Sequence, residues 1–324
     1  LLHSTATLAA GRVNGGRSQN WTGGGGAGGR IAVNYNPASQ TGNPGVRFSA
    51  QYGTGVMNGE PGVIYLPSPV FLSSLVGDQL FMGGRLVIPG FSGWTLDSLA
   101  FSNCAVQLGT NAFQLTVTNE FRLFAGASLT LPSGSSIRCG NLVLTNNASL
   151  AVYADATNWP GTNYSGLISV TGDVSIGGNS WLYPCSHPTN GGTVLLQMSN
   201  LLIGAGSGIS ADGRGYSGGG SNMQISSSGY GPGAGQGMNS GAYNGGGAGY
   251  GGAGGVGWAG LGGAAYGTLA DPYAPGSGGG GGWDYRAANG GGAIRIEARQ
   301  QVRVDGAISA NGDNNSQYGG GGSG

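Results

Sequence analysis

The chain has 324 residues, of which 74 are glycine and only 7% are charged, and its formal net charge is zero. Ordinary soluble domains carry roughly 25% charged residues, so this composition is atypical of a cytosolic enzyme. All twelve basic residues are arginine. The absence of lysine excludes P-loop phosphate binding and Schiff-base chemistry, and without a basic stripe we expect no nucleic-acid partner.

The two ends of the chain carry similar glycine tracts. Gly319–Gly324 resembles Gly23–Gly29, which fits either a segment of a longer protein or a complete subunit whose ends contact copies of itself. The first residues, Leu1 to His3, lack the charged and apolar regions of a secretory signal. No apolar run reaches the roughly 18 residues of a membrane-spanning helix, so no membrane-spanning segment is predicted.

Residues 1–110 are predicted to form an N-terminal region of glycine-rich sequence and β-strands. The first glycine tract runs directly into Arg30–Tyr35, where apolar and polar residues alternate. Further strands are predicted at Val46–Ala50 and Gly62–Leu66. Alternation with a period of two is typical of a strand with one buried face.

Residues 111–211 contain an internal repeat of two apolar positions, a turn and a third apolar position. Successive copies start 21, 32, 27 and 101 residues apart, and the fifth, shortened copy lies beyond residue 292. The copies are Phe121/Leu123/Leu129, Leu142/Leu144/Leu150, Val174/Ile176/Leu182, Leu201/Ile203/Ile209 and Val302/Val304/Ile308. Units of this length bury their apolar faces by stacking, which predicts an all-β, elongated β-solenoid. A β-sandwich also has short alternating strands, but it does not require the same spacing in successive units.

Residues 212–292 form a glycine-rich block. Positions 213–292 hold 33 glycines, seven tyrosines and two tryptophans, whereas flexible linkers lack large apolar rings. We predict a glycine-rich insertion of extended, polyproline-II-like strands whose backbones approach closely. The other interpretation is a mobile loop, because ordering glycine costs the most conformational entropy. The predicted aromatic contact surface consists of Tyr216, Tyr230, Tyr243, Tyr250, Trp258, Tyr266, Tyr273, Trp283 and Tyr285.

Residues 293–324 are predicted to contain a final repeat unit and the start of another glycine tract. Ala293–Ala298 and Gln301–Asp305 alternate, which places their aliphatic residues inward and their charges outward as surface ion pairs. The segment Ile209–Gly213 before the block matches Ile308–Gly312 after it. The block is therefore expected to lie between two equivalent strands.

These segments resemble glycine-rich repeats of very large bacterial surface proteins, in which a glycine tract enters a G-G-R-I-A-V type strand and strands exit through I-x-A-x-G. Residues 23–66, 201–216 and 290–324 carry that resemblance. Residues 113–210 resemble right-handed β-helix adhesins and passenger domains. The resemblance implies a right-handed β-helix, an extracellular or cell-surface location and a structural or adhesive role. It carries over no catalytic residue.

The enzyme motifs in the sequence lack the context that their chemistry needs. A dinucleotide fingerprint, G-x-G-x-x-G, occurs at residues 213–218, but no amphipathic helix follows it. A nucleophile-elbow pattern occurs at residues 215–219, but His187 precedes its serine, whereas hydrolases of that fold place the histidine after it. No catalytic residue and no cofactor are therefore predicted.

The sequence contains few residues that could bind a metal ion or form disulfides. A calcium site would draw on Asp212, Asp305 or Asp313, but no calcium-loop motif supports one. The three cysteines are too few and too widely spaced for a zinc site or a disulfide framework. We expect buried thiols, with one disulfide and one remaining thiol as the alternative, for Cys104, Cys139 and Cys185.

These observations predict a non-enzymatic structural module of an extracellular surface protein or filament that associates end to end with copies of itself. Stacked units form a rod, and unpaired strand edges at its ends accept the next repeat or copy. The alternative is a glycan-binding adhesin module, in which exposed Tyr and Trp of the block stack on sugar rings. A third function is a polysaccharide-degrading β-helix, which needs acids converging in a groove.

Overall fold

The computed structural model describes residues 24–39, 46–55, 58–77, 81–220, 226–237, 244–258, 260–268, 273–283, 286–314 and 319–324. Within these residues there are 21 β-strands and one short 3-10 helix, Pro37–Ser39. The predicted all-β class is therefore confirmed. Among the residues described, none forms a helix with the length and apolar character needed to cross a membrane.

The strands form two sheets, and every strand pair described is parallel. The first sheet contains β1 (Arg30–Ala32), β2 (Phe48–Ser49), β3 (Val63–Tyr65), β5 (Phe81–Val87), β8 (Ala105–Leu108), β10 (Ser128–Leu131), β12 (Ser149–Tyr153), β15 (Trp181–Cys185), β18 (Gly208–Ser210) and β21 (Ala307–Ser309). The second contains β4 (Leu75–Val76), β6 (Gly93–Leu96), β7 (Leu99–Ser102), β9 (Gln114–Phe124), β11 (Ser136–Leu144), β13 (Gly166–Val170), β14 (Asp173–Ile176), β16 (Val194–Met198), β17 (Asn200–Ile203), β19 (Ile294–Ala298) and β20 (Val302–Val304).

The apolar positions of the sequence repeat are neighbours in these sheets. Leu150 of β12 lies between Leu129 of β10 and Leu182 of β15. Leu201 of β17 pairs with Val302 of β20, although the glycine block separates the two in sequence. Because the strands are parallel and in register, equivalent side chains stack into columns that run from unit to unit. This arrangement is compatible with a β-helix.

The columns form a continuous apolar core. Leu144, Leu150 and Ile203 are completely buried, and the core extends from Val46 to Ile209. Burying one such side chain stabilises the fold by about 1.5–3 kcal/mol. Stacking of the repeat units is therefore the main source of stability in the sheets.

The turns between strands stack as well. Asn147 and Asn179 lie 32 residues apart and both adopt left-handed backbone conformations, with φ of 61° and 62°. Asparagine tolerates this region better than most residues. The Nδ2 of Asn179 donates a hydrogen bond of 2.9 Å to the Oδ1 of Asn147. The same turn conformation in successive units therefore aligns the side chains that connect them.

The glycine block, residues 212–292, packs against the end of the sheets. Its described residues form no strand, but their backbone is hydrogen-bonded to the loops that join the strands. The amide of Ser217 donates to the carbonyl oxygen of Pro188 at 2.8 Å, and the amide of Gly292 donates to the carbonyl oxygen of Ala211 at 2.7 Å. These bonds fix the block between β18 and β19.

Candidate functional site: interaction surfaces

The centre of the glycine block is the segment Gly276–Gly282, named here the central segment, and it is buried along its whole length. A β-strand pairs with one neighbour at each edge, whereas this segment is hydrogen-bonded to six other parts of the chain. The bonds include Tyr216 N to Gly276 O (3.0 Å), Gly278 N to Tyr230 O (2.9 Å), Gly235 N to Gly278 O (3.0 Å), Gly280 N to Gly246 O (2.8 Å), Gly279 N to Ala288 O (3.0 Å) and Gly320 N to Gly280 O (2.8 Å). The segments therefore form a three-dimensional bundle rather than a sheet.

The glycine positions at the centre of the bundle have no room for a side chain. A Cβ atom added to Gly280 would lie 1.8 Å from the carbonyl oxygen of Gln236, and one added to Gly278 would lie 2.0 Å from that of Ser217. Real Cβ atoms essentially never approach another heavy atom within 3.0 Å. Glycine is required at these positions because neighbouring backbones are in direct contact.

The side chain of Ser277 forms a polar link inside the bundle. Ser277 is fully buried, its Oγ donates to the hydroxyl of Tyr266 at 2.9 Å, and it accepts the amide of Gly233 at 3.0 Å. The Tyr266 hydroxyl in turn donates to the carbonyl of Pro275. Burial raises the pKa of Tyr266 to about 12. This tyrosine is therefore a neutral structural link in the block.

The aromatic residues predicted as a contact surface occupy different environments. Tyr216 is buried, Tyr250 packs edge-on against Tyr266 with ring centroids 4.9 Å apart, and Trp283 is half-buried. Tyr243 and Tyr285 lie outside the described residues. The exposed members are Tyr230, Trp258 and Tyr273.

Trp258 is the most exposed of these rings, with 87% of its surface accessible. It lies in a turn closed by a hydrogen bond of 2.8 Å from the amide of Gly257 to the carbonyl of Gly260. Val256 and Leu261 flank the turn and are 74% and 58% exposed. The block therefore presents an exposed apolar surface made by Val256, Trp258 and Leu261, here named the Trp258 turn.

A second apolar surface lies at the last repeat unit, named here the terminal unit and formed by β19, β20 and β21. Each of its strands pairs with one preceding strand in the described part of the chain. Its aliphatic residues are exposed although their partners one unit earlier are buried: Val302 (51%) against Leu201 (1%), Val304 (40%) against Ile203 (0%) and Ile308 (41%) against Ile209 (0%). A cleft of about 330 Å³ adjoins this surface and is lined by Ile294, Ile296, Ile308 and Gly324, among others.

Asp212 connects the terminal unit to the unit before it. Its Oδ2 accepts hydrogen bonds from the hydroxyls of Ser309 (2.7 Å) and Ser210 (3.1 Å). Its Oδ1 accepts the backbone amide of Asn311 (2.6 Å) and the side-chain amide of the same residue (3.1 Å). Partial burial acts to raise the pKa of Asp212, but these hydrogen bonds outweigh it and hold the pKa below its usual value.

Other acidic residues of the terminal unit form ion pairs with arginine. Arg303 pairs with Asp305 at 2.9 Å, and Arg295 pairs with Glu297 at 3.0 Å, on the outer face. Such exposed pairs contribute about 0–1 kcal/mol. Across the described ranges, no group of three or more His, Cys, Asp or Glu residues is arranged to hold a metal ion.

The three cysteines are free thiols inside the sheets. Burial raises the pKa of Cys104 and Cys139 to about 12, and that of Cys185 to about 11. Since the thiolate is the reactive form, these residues serve as small packing groups of the core.

Comparisons of the chain with protein-family models, with curated proteins and with solved structures gave no match.

Proposed function

We propose that this chain is a non-enzymatic structural module of an extracellular surface protein or filament, and that it associates with copies of itself. The observation that carries the proposal is the terminal unit, whose aliphatic residues occupy core positions yet remain exposed. A stack of parallel units has two unlike ends, and each end offers unpaired strand edges. Extension of the stack by another unit satisfies the backbone and buries these side chains together.

In this proposal the repeat units are rungs of an elongated, right-handed β-solenoid. The in-register columns and the parallel pairing of all described strands support it, since each rung buries its apolar face only by stacking on its neighbours. The resemblance to β-helix adhesins gives the handedness and the extracellular location. The rod resists bending because its core is continuous from rung to rung.

The glycine block then acts as a polyproline-II-like brace on the rod. Extended glycine strands can be hydrogen-bonded in three directions, and the central segment has neighbours on all sides. The block is connected to both the penultimate and the terminal units, through Ala211 and Gly292. A brace between the last two units stiffens the end of the rod to which the next unit binds.

Electron microscopy of the native material that contains this chain tests the proposal. Regular filaments whose axial repeat equals the length of one module are expected. Isolated projections without such a repeat, together with a purified chain that stays monomeric at high concentration, would contradict it.

A second candidate function, glycan binding, is favoured by the Trp258 turn. Tryptophan combines a large apolar face with one polar N–H group, and an 87% exposed ring has no protein neighbour to cover it fully. In this candidate Trp258 and Tyr230 stack on sugar rings of a host or matrix polysaccharide, and the rod holds the block away from the surface.

Retention of the purified chain on immobilised polysaccharides distinguishes the two candidates. Trp258→Ser should abolish retention if the turn binds sugar, while Tyr52→Ser, at a ring that is 43% exposed outside the block, should not. Equal retention of the two variants would exclude the turn as the binding site. Release of shortened sugars would instead indicate a polysaccharide-degrading enzyme.

A further inference from the structure

We propose that the terminal unit of one copy binds the opposite end of a second copy, with β21 of the first molecule pairing in parallel with β1 of the second. This inference rests on the proposed self-association and specifies its interface. The two strands lie at opposite edges of the same sheet. In the described part of the chain, β1 pairs with β3 and β21 pairs with β18, so each has one edge for a further strand.

The aliphatic side chains of the terminal unit lie at positions that are buried in the preceding units. Val302, Val304 and Ile308 continue columns whose preceding members are buried. In each column the preceding member is buried because the next unit lies over it. The terminal residues therefore require an additional unit of the same shape to reach the same environment.

Polar groups of the units are aligned in the same way. The Oδ1 of Asn200 accepts the backbone amide of Gln301 at 3.1 Å, and the Oδ1 of Asn141 accepts that of Asp173 at 2.9 Å. Side-chain oxygens at this position thus receive the backbone of the following unit. Gln301 occupies the corresponding position of the terminal unit and is exposed.

The same contact between a side-chain oxygen and the backbone of the following unit occurs at a second position. There the Oδ1 of Asp212 accepts the backbone amide of Asn311 in the next unit. Asn311 is the counterpart of Asp212 in the terminal unit, because Ile209 pairs with Ile308 and each of the two residues lies three positions after its member of that pair. Asn311 is exposed. The terminal unit therefore offers amide oxygens, as well as apolar groups, at the positions where a parallel strand brings its amides. A sugar or an unrelated helix would not match this spacing.

A second copy supplies a strand of the required type. In β1, Ile31 faces the core while Arg30 and Ala32 are exposed, the same alternation as in the strands that already stack. The contact joins two different surfaces, so it is heterologous and does not close on itself. Repetition of the contact builds an open filament.

The test uses the 324-residue chain and measures its association by sedimentation velocity over a range of concentrations. Ile308→Asp places a carboxylate at the terminal surface and should weaken association at least about ten-fold. The matched control is Leu202→Asp, because Leu202 is 43% exposed, against 41% for Ile308, but lies on the outer face of β17. The control should associate like the wild type.

Mixing two variants tests the direction of the contact. Ile31→Asp damages the β1 end and Ile308→Asp damages the other end, so each variant alone should be monomeric. A mixture retains one intact pair of ends and should form dimers that do not grow further, which also shows that both variants are folded.

The outcomes separate this interface from the proposed function. Variants that polymerise like the wild type would overturn the interface while leaving self-association in place. Monomeric variants that form no dimers on mixing would overturn the head-to-tail arrangement. A wild-type chain that is monomeric at every concentration would contradict the proposed self-association itself, and this interface with it.

Discussion

Replacing Gly280 by alanine should disrupt the glycine block more than its small volume suggests. The added Cβ would lie 1.8 Å from the carbonyl oxygen of Gln236. The two segments must therefore separate by more than about 1 Å to reach even the closest separation that real Cβ atoms adopt. Gly280 also donates to Gly246 and accepts from Gly320, both at 2.8 Å, and a displacement of Gly280 by that distance would break both hydrogen bonds.

The expected cost follows from these two effects. Overpacking costs typically about 1–3 kcal/mol, and each lost hydrogen bond contributes about 0.5–1.5 kcal/mol, so the block loses about 2–6 kcal/mol. Gly252→Ala is the control in the same block, because a Cβ at Gly252 meets nothing within 4 Å. It should be neutral, or stabilising by up to about 1 kcal/mol, since alanine restricts the unfolded chain.

Hydrogen exchange measured by mass spectrometry on peptides from residues 276–282 reads this difference directly. Amides in the Gly280→Ala variant should exchange at least about 30-fold faster than in the wild type, because each 1.4 kcal/mol corresponds to a factor of ten. The Gly252→Ala variant should match the wild type. Equal protection of both variants would refute the argument that direct backbone contact holds the bundle together.

Three further predictions concern the sheets. Hydrogen bonds lower the pKa of folded Asp212 below its usual value of 3.8, so their contribution to stability is complete above that value and is lost as the pH falls through the folded pKa. The exchange protection factors of residues 302–311, which correct for the intrinsic exchange rate at each pH, should therefore fall in acid, and Asp212→Asn should remove this added acid sensitivity. The buried thiols should resist a thiol reagent at pH 8 until the chain is unfolded, and rapid labelling of the native protein would contradict their burial. Leu150→Ala should destabilise by about 2–5 kcal/mol in denaturant titration, whereas Leu202→Ala, at an exposed site, should change stability by less than about 0.5 kcal/mol.

The sheets were largely predictable because their side chains repeat. The sequence repeat placed Leu129, Leu150 and Leu182 at equivalent positions, and the structure pairs them in register. It also matched Ile209 with Ile308 across the block, and these two residues are direct neighbours. Spacing predicts such contacts because apolar side chains must share one face, and a shift by one residue would turn them outward.

The candidate surfaces were only partly predictable. The nine aromatic residues were identified from their positions in the block, but sequence gives no burial for an isolated ring. Folding buries Tyr216 and leaves Trp258 almost fully exposed. The sequence offers Asp212 only as a possible calcium ligand, whereas in the structure its carboxylate accepts hydrogen bonds from the next unit. Its partners lie about 100 residues away, and local sequence carries no signal for them.

The sequence by itself determined the all-β class, the repeat and the inward face of the repeat strands before the block, because these depend on the order of apolar and polar side chains. Only the tertiary structure decided which glycine segments are neighbours and that Gly276–Gly282 lies at their centre. Glycine has no side chain to encode a partner, and every backbone amide is chemically alike. The choice among glycine segments is therefore made by the sheets and loops that fix the ends of each one.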